Sequence, residues 1–140
     1  MFVERSPASL KVLRRNLHAL AVEDRARVVR GDVRGALPRL ARDGERFELV
    51  LADPPYAASD IAGPLAMLAA CGLLAVDATV VVERSRRHPL PRIEGLVWRE
   101  SRHYGRTRLD WLGPGDPGPA HETSGGGRGQ GSRERGRGAT

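Results

Sequence analysis

The sequence has few of the residues that carry disulfide, thiol or metal chemistry. Cys71 is its only cysteine, which excludes an internal disulfide and a cysteine-based metal site. The four histidines are scattered and show none of the ligand spacings of a metal site. They are His18, His88, His103 and His121. We therefore expect neither a resident metal nor a metal-dependent enzyme.

Long apolar runs are also absent. No stretch approaches the length of a membrane-spanning helix, and the N-terminus does not resemble a signal peptide. We therefore expect a cytoplasmic protein that makes no membrane contact.

Lysine is nearly absent, so arginine supplies almost all of the positive charge, and the formal net charge is +6. This basic balance favours a polyanionic partner such as nucleic acid. A genome rich in G and C would produce the same surplus of arginine, alanine and glycine, so charge alone does not decide between these explanations.

The composition changes near Leu112. Residues 113–140 contain ten glycines and no large apolar residue. Such a segment cannot bury enough surface to offset its ordering entropy. We therefore predict one folded domain over residues 1–112 and a disordered Gly/Arg-rich tail over residues 113–140.

Apolar periodicity predicts alternating strands and helices within the domain. The predicted strands are 1–4, 26–29, 47–52, 79–83, 97–103 and 107–112. Helices are predicted over 7–20, over 33–42, and from Asp60 or 63–64 to Gly72, with Leu10, Leu13, Leu17 and Leu20 facing a sheet. We expect Pro38 to kink the second helix or delay its start. This order predicts a doubly wound α/β fold that ends in an antiparallel hairpin.

The most informative stretch is Asp53-Pro54-Pro55-Tyr56, directly after the predicted buried strand 47–52. Ligands bind open α/β sheets at the carboxyl ends of their strands. Two prolines remove two backbone donors and fix two φ angles. The loop should therefore hold one carboxylate, its carbonyl oxygens and one aromatic ring in a fixed relation.

This set of groups suits a neutral exocyclic amine on a flat base. The Asp53 carboxylate and the Pro54 carbonyl can accept its two N–H groups, while the base stacks on Tyr56. Holding both hydrogens directs the nitrogen lone pair towards an electrophile, which is catalysis by positioning. The alternative interpretation is a proline-rich turn with a solvated Asp53.

Two more acids follow predicted strands. Glu4 ends the first strand and Asp32 follows the second. In nucleotide-binding α/β sheets, an acid at one strand end accepts the ribose hydroxyls, and an acid after the next strand could accept the adenine amino group. Glu4 could instead be a solvated strand end and Asp32 a helix N-cap. Together with Asp53 they favour one shared site.

These residues resemble the RsmD family of S-adenosylmethionine-dependent methyltransferases, which modify a guanine N2 in 16S ribosomal RNA. The resemblance covers roughly residues 2–112, and the D-P-P-[YF] motif is also shared with many adenine-N6 methyltransferases. The matching segments are Phe2-Val3-Glu4-Arg5, Asn16-Leu17, Gly31-Asp32, Leu51-Ala52-Asp53-Pro54-Pro55-Tyr56, Val82-Glu83 and Tyr104-Gly105. The resemblance implies a Rossmann-like class I methyltransferase sheet, S-adenosylmethionine as cofactor, and ribosomal RNA or the assembling small subunit as partner of a monomer.

Roles for individual residues follow from the same resemblance. It implies that Glu4 binds the cofactor ribose and that Asp32 contacts the adenine ring. Asp53, Pro54, Pro55 and Tyr56 would form the catalytic loop, with Asp53 also beside the cofactor. Charge, rather than a motif, suggests that a basic loop contacts RNA phosphates. Its residues are Arg84, Arg86, Arg87 and His88.

The chain departs from the family at one point, because the Gly-rich cofactor turn after the first strand is absent. That turn, its strand and its helix would lie upstream of Met1, and the strand would sit between those ending at Glu4 and Ala52. We therefore expect an incomplete sheet and weak binding of S-adenosylmethionine by this chain alone. Alternatives are an adenine-N6 methyltransferase and a non-catalytic basic RNA-binding remnant.

Overall fold

The computed structural model describes residues 1–54 and 61–115 of the chain. Within these ranges, strands and α-helices alternate before a C-terminal hairpin. The elements are β1 Phe2–Glu4, α1 Pro7–Ala19, β2 Val28–Arg30, α2 Val33–Arg42, β3 Phe47–Ala52, α3 Ala62–Ala70, β4 Leu74–Ser85, β5 Leu96–Tyr104 and β6 Thr107–Pro114. This order confirms the predicted α/β class with an antiparallel end.

The helix starts follow from local capping. The Ser6 hydroxyl accepts the Ser9 amide at 3.3 Å, and Pro7 occupies the first turn of α1. Pro38 lies inside α2, which nevertheless begins at Val33, so the expected delay is wrong. Leu20 caps the C-terminus of α1 and is 70% exposed, so its predicted place on the sheet-facing side is also wrong.

The fourth strand and the hairpin are longer than predicted. β4 continues to Ser85, so Arg84 belongs to the strand and not to the loop that follows it. β6 continues to Pro114, two residues beyond the predicted end of the domain at Leu112. Residues 116–140 of the predicted tail lie outside the described residues.

The strands form two separate sheets. β1 pairs in parallel with β2, and the other sheet has the order β3-β4-β6-β5. β3 and β4 are parallel, whereas β6 is antiparallel to both β4 and β5. Within the described residues, β1 and β3 therefore each have one hydrogen-bonded neighbour, in agreement with the expected incomplete sheet.

The core lies on one face of the larger sheet. Val80 and Val82 of β4 pack with leucines of α2 and α3, including Leu37 and Leu65. On the opposite face of β3, Leu49 and Leu51 are 58% and 73% exposed. A sheet of parallel strands normally has both faces covered. At β3, the described part of the chain covers only one.

A search of the described residues for membrane-spanning helices finds none that is long and apolar enough.

Candidate active site at the carboxyl ends of the strands

The three acids predicted to share a site line one cavity. β1, β2 and β3 end near the same cavity, which has a volume of about 850 Å³. Its lining includes Glu4, Asp32, Asp53 and Pro54, together with apolar residues of α2 and β3. The structure therefore brings together three residues that are widely separated in sequence. Pro55 and Tyr56 of the motif lie outside the described residues.

Glu4 is half-buried and is fixed by its own surroundings. Its carboxylate accepts the Ser6 amide at 2.7 Å, just before α1. Its backbone carbonyl accepts the Gly31 amide at 3.0 Å, which connects the end of β1 to the loop after β2. These bonds hold the Glu4 carboxylate at the cavity wall.

Asp32 caps helix α2, as the alternative interpretation of this residue predicted. One carboxylate oxygen accepts the Arg34 amide at 2.9 Å, and the other lies 3.5 Å from Arg5 Nη1. The side chain is half-exposed and still lines the cavity. A carboxylate that caps a helix can accept further hydrogen bonds, because it has about four lone-pair sites. Capping and ligand binding are therefore compatible at Asp32.

Asp53 lies next to a second acid. Ala52 pairs with Val82 in the parallel β3–β4 ladder. The next residue after each of these, Asp53 and Glu83, therefore lies beside the other. Burial raises the pKa of the Asp53 carboxyl above its ordinary value, and the negative charge of Glu83 raises it further. A carboxylate with a raised pKa is a better proton acceptor than an ordinary aspartate.

No role was predicted for Glu83 from the sequence, although Val82-Glu83 is one of the segments that resemble the RsmD family. The available signal was its position at the end of a β-branched run, since acids at the ends of neighbouring parallel strands share one edge of a sheet. What the sequence did not reveal was the register that sets Glu83 beside Asp53.

The basic loop divides into one buried residue and three exposed ones. Arg84 is 6% exposed and donates from Nε to an Asp110 carboxylate oxygen at 2.5 Å. Its Nη1 donates to the His88 carbonyl at 2.6 Å. The prediction of an RNA contact by Arg84 is therefore corrected, because its guanidinium is buried in the protein. Arg86, Arg87 and His88 are exposed.

Comparisons with known proteins agree with this fold. The family described as Conserved hypothetical protein 95 matches residues 1–112. The Bacillus subtilis protein named "Putative rRNA methyltransferase YlbH" is 30% identical over 108 residues, which are 76% of this chain and 59% of that protein. The chain thus spans less than two thirds of this relative.

Two solved structures are similar to this chain over most of its length. A conserved hypothetical protein of Streptococcus pyogenes has 27% identity and a TM-score of 0.72, over 81% of this chain and 69% of that one. The Escherichia coli structure named "Putative methyltransferase yhhF" has 25% identity and a TM-score of 0.66, over 80% and 62%. The fold is therefore that of the Rossmann-like methyltransferases. The chain belongs to the Conserved hypothetical protein 95 family, and the RsmD resemblance is confirmed.

Proposed function

We propose that this chain is the core of a methyltransferase that uses S-adenosylmethionine to methylate the exocyclic N2 of a guanine in 16S ribosomal RNA. The observation that carries the proposal is the position of Asp53 and Pro54 at the end of β3, on the cavity that Glu4 and Asp32 also line. The similarity to a protein named as an rRNA methyltransferase supports the choice of substrate.

The cavity residues fit the adenosine half of the proposed cofactor. Glu4 and Asp32 supply carboxylates at strand ends, which is where nucleotide-binding α/β sheets accept ribose hydroxyls and ring amines. A cavity volume of about 850 Å³ lies within the usual range for ligand sites. When bound, the cofactor would supply an electrophilic methyl group with a neutral leaving group.

Asp53 and Pro54 act on the acceptor amine. Guanine N2 carries two hydrogens, and the Asp53 carboxylate and the Pro54 carbonyl each accept one of them. With both hydrogens held, the nitrogen lone pair points towards the methyl group. The nitrogen loses one proton as its new bond forms, and we assign the Asp53 carboxylate as acceptor of that proton. Its raised pKa favours this transfer.

The experiment that tests the substrate is nucleoside analysis after methylation. The native protein, isolated from its own cells, is incubated with small-subunit ribosomal RNA and S-adenosylmethionine carrying a labelled methyl group. The label should appear in N2-methylguanosine. Label in N6-methyladenosine would instead identify an adenine-N6 methyltransferase, and label in neither would contradict the proposed reaction. As a cytoplasmic monomer, the protein would meet this RNA during assembly of the small subunit.

A further inference from the structure

We propose that the loop after β4 and the turn of the β5–β6 hairpin form one binding surface for the RNA backbone beside Asp53. This proposal rests on the proposed function for its choice of partner. We call the surface the basic platform. It consists of Arg86, Arg87, His88, Tyr104 and Arg106, all of which are exposed.

Strand directions put the platform at the same sheet edge as Asp53. β3 and β4 are parallel, and β5 runs in the same direction as β4 because β6 is antiparallel to both. In the register, Thr107 pairs with Ser85 on one side and with Tyr104 on the other. Ala52 at the end of β3 is level with Ser101 of β5, and Tyr104 lies three residues further along β5. At about 4.8 Å per strand and about 3.3 Å per residue, Tyr104 is therefore about 17 Å from the end of β3.

Hydrogen bonds join the loop to the turn. The Arg86 amide donates to the Arg106 carbonyl at 3.1 Å, and Arg86 Nη1 donates to the Gly105 carbonyl at 3.4 Å. Gly105 has φ +59°, which lets the hairpin reverse tightly at this point. The two segments therefore form one continuous surface.

A buried ion pair holds the loop in shape. The Arg84 guanidinium, fixed by Asp110, donates to the carbonyls of both Ser85 and His88. Asp110 is fully buried, and its second carboxylate oxygen accepts from Arg108 Nε at 2.7 Å and from the Ser101 hydroxyl at 2.6 Å. Arg84 is thus a positioning residue, which orders the backbone that carries Arg86 and Arg87.

The chemistry of the platform suits RNA better than an acidic protein. Three exposed guanidinium groups can bind phosphates through two hydrogen bonds each. Tyr104 is 57% exposed and offers a ring on which an unpaired base can stack. The platform lies beside the residue that we assign to the target amine, where the strand flanking a target base would have to run.

The test compares two triple variants with the same change in charge. Arg86, Arg87 and Arg106 are replaced by alanine in the first. The control replaces Arg15, Arg39 and Arg42, which are exposed and lie on α1 and α2, away from the platform. Both variants are made in the full chain, and thermal melts check that each is folded. Binding to a fluorescein-labelled 12-nucleotide single-stranded RNA of mixed sequence is measured by anisotropy at several salt concentrations.

The platform variant should bind the RNA about tenfold or more weakly than the unchanged chain, and the control within about twofold. The slope of log affinity against log salt should become shallower by about 2, since each of three lost phosphate contacts contributes about 0.7 for single strands. Equal weakening by both variants would show an effect of net charge alone and overturn the proposal. No measurable binding by the unchanged chain would overturn it too.

This assay needs no methyl transfer, so it separates the platform from the proposed reaction. Normal RNA binding by the platform variant would disprove the platform and would not bear on the proposed methylation. The platform variant could lose RNA binding selectively although the native protein methylates no RNA. That combination would support the platform as an RNA-binding surface and disprove the proposed reaction.

Discussion

Asp53 directly follows β3 beside Glu83 of the parallel strand β4, and the negative charge of Glu83 adds to burial in raising the pKa of Asp53. The protein therefore makes Asp53 a stronger base than an isolated aspartate. This relationship links the sheet register to the proposed chemistry, in which Asp53 must be ionised to accept the hydrogens of the target amine.

The first prediction concerns the pH dependence of methyl transfer. Protonation removes the Asp53 acceptor, so the rate should fall as pH falls through the Asp53 pKa, at a higher pH than for an ordinary aspartate. Glu83→Gln removes the neighbouring charge and should shift the midpoint to lower pH. The measurement is a pH profile of the methylation rate. Asp77→Asn, on the exposed early part of β4, is the control and should leave the midpoint in place. An unchanged midpoint in the Gln variant would contradict the coupling.

The second prediction concerns the buried pair of Arg84 and Asp110. Asp110→Ala leaves the Arg84 guanidinium buried without its partner, so the free energy of unfolding should fall by about 3–5 kcal/mol. Arg27→Ala removes the surface ion pairs to Asp43 and Glu45 and should cost about 1 kcal/mol or less. Urea unfolding measures both. A loss at Asp110 no larger than that at Arg27 would mean that the buried pair does not hold the hairpin.

The third prediction separates the two roles of Asp32. Asparagine caps helices about as well as aspartate, so Asp32→Asn should retain stability, whereas Asp32→Ala should lose about 1 kcal/mol. Both variants lose the carboxylate that we assign to the cofactor, so both should weaken cofactor binding in the native protein. Unfolding and binding are measured on the same samples. An Asn variant that binds the cofactor with full affinity would contradict the cofactor role of Asp32 and leave helix capping as its only role.

Local sequence signals predicted the elements that carry the candidate site better than they predicted the hydrogen-bond network of Arg84 and Asp110. The bounds of α2 and β3 were predicted correctly, because capping by Asp32 and the apolar run 47–52 are local features. Arg84 was misplaced because its partner, Asp110, is 26 residues away and is brought to it only by the β4–β6 register. A charged residue at the end of an apolar run resembles the start of a surface loop until that partner is known.

The gap between β1 and β3 gives a fourth prediction. The 140-residue chain lacks a glycine-rich cofactor turn, and β1 and β3 are not paired with one another in the described residues. We therefore expect S-adenosylmethionine to bind this chain weakly, with a Kd above about 100 μM, which corresponds to a binding free energy of less than about 5.5 kcal/mol. Calorimetric titration of the purified chain measures it. Tight, stoichiometric binding would mean that Glu4, Asp32 and their neighbours suffice for the cofactor.

The central claim is that Asp53 accepts the target amine. The most direct test is the single-turnover rate of methyl transfer to small-subunit ribosomal RNA by the native protein carrying Asp53→Ala, with Asp77→Ala as the control. We predict a rate at least about 100-fold lower for the Asp53 variant, at the low end of the usual contribution of a positioned acid–base group, with cofactor affinity changed by less than about threefold. The control should match the unchanged protein. An Asp53 variant with an unchanged rate would contradict the assignment of Asp53 and, with it, the proposed mechanism.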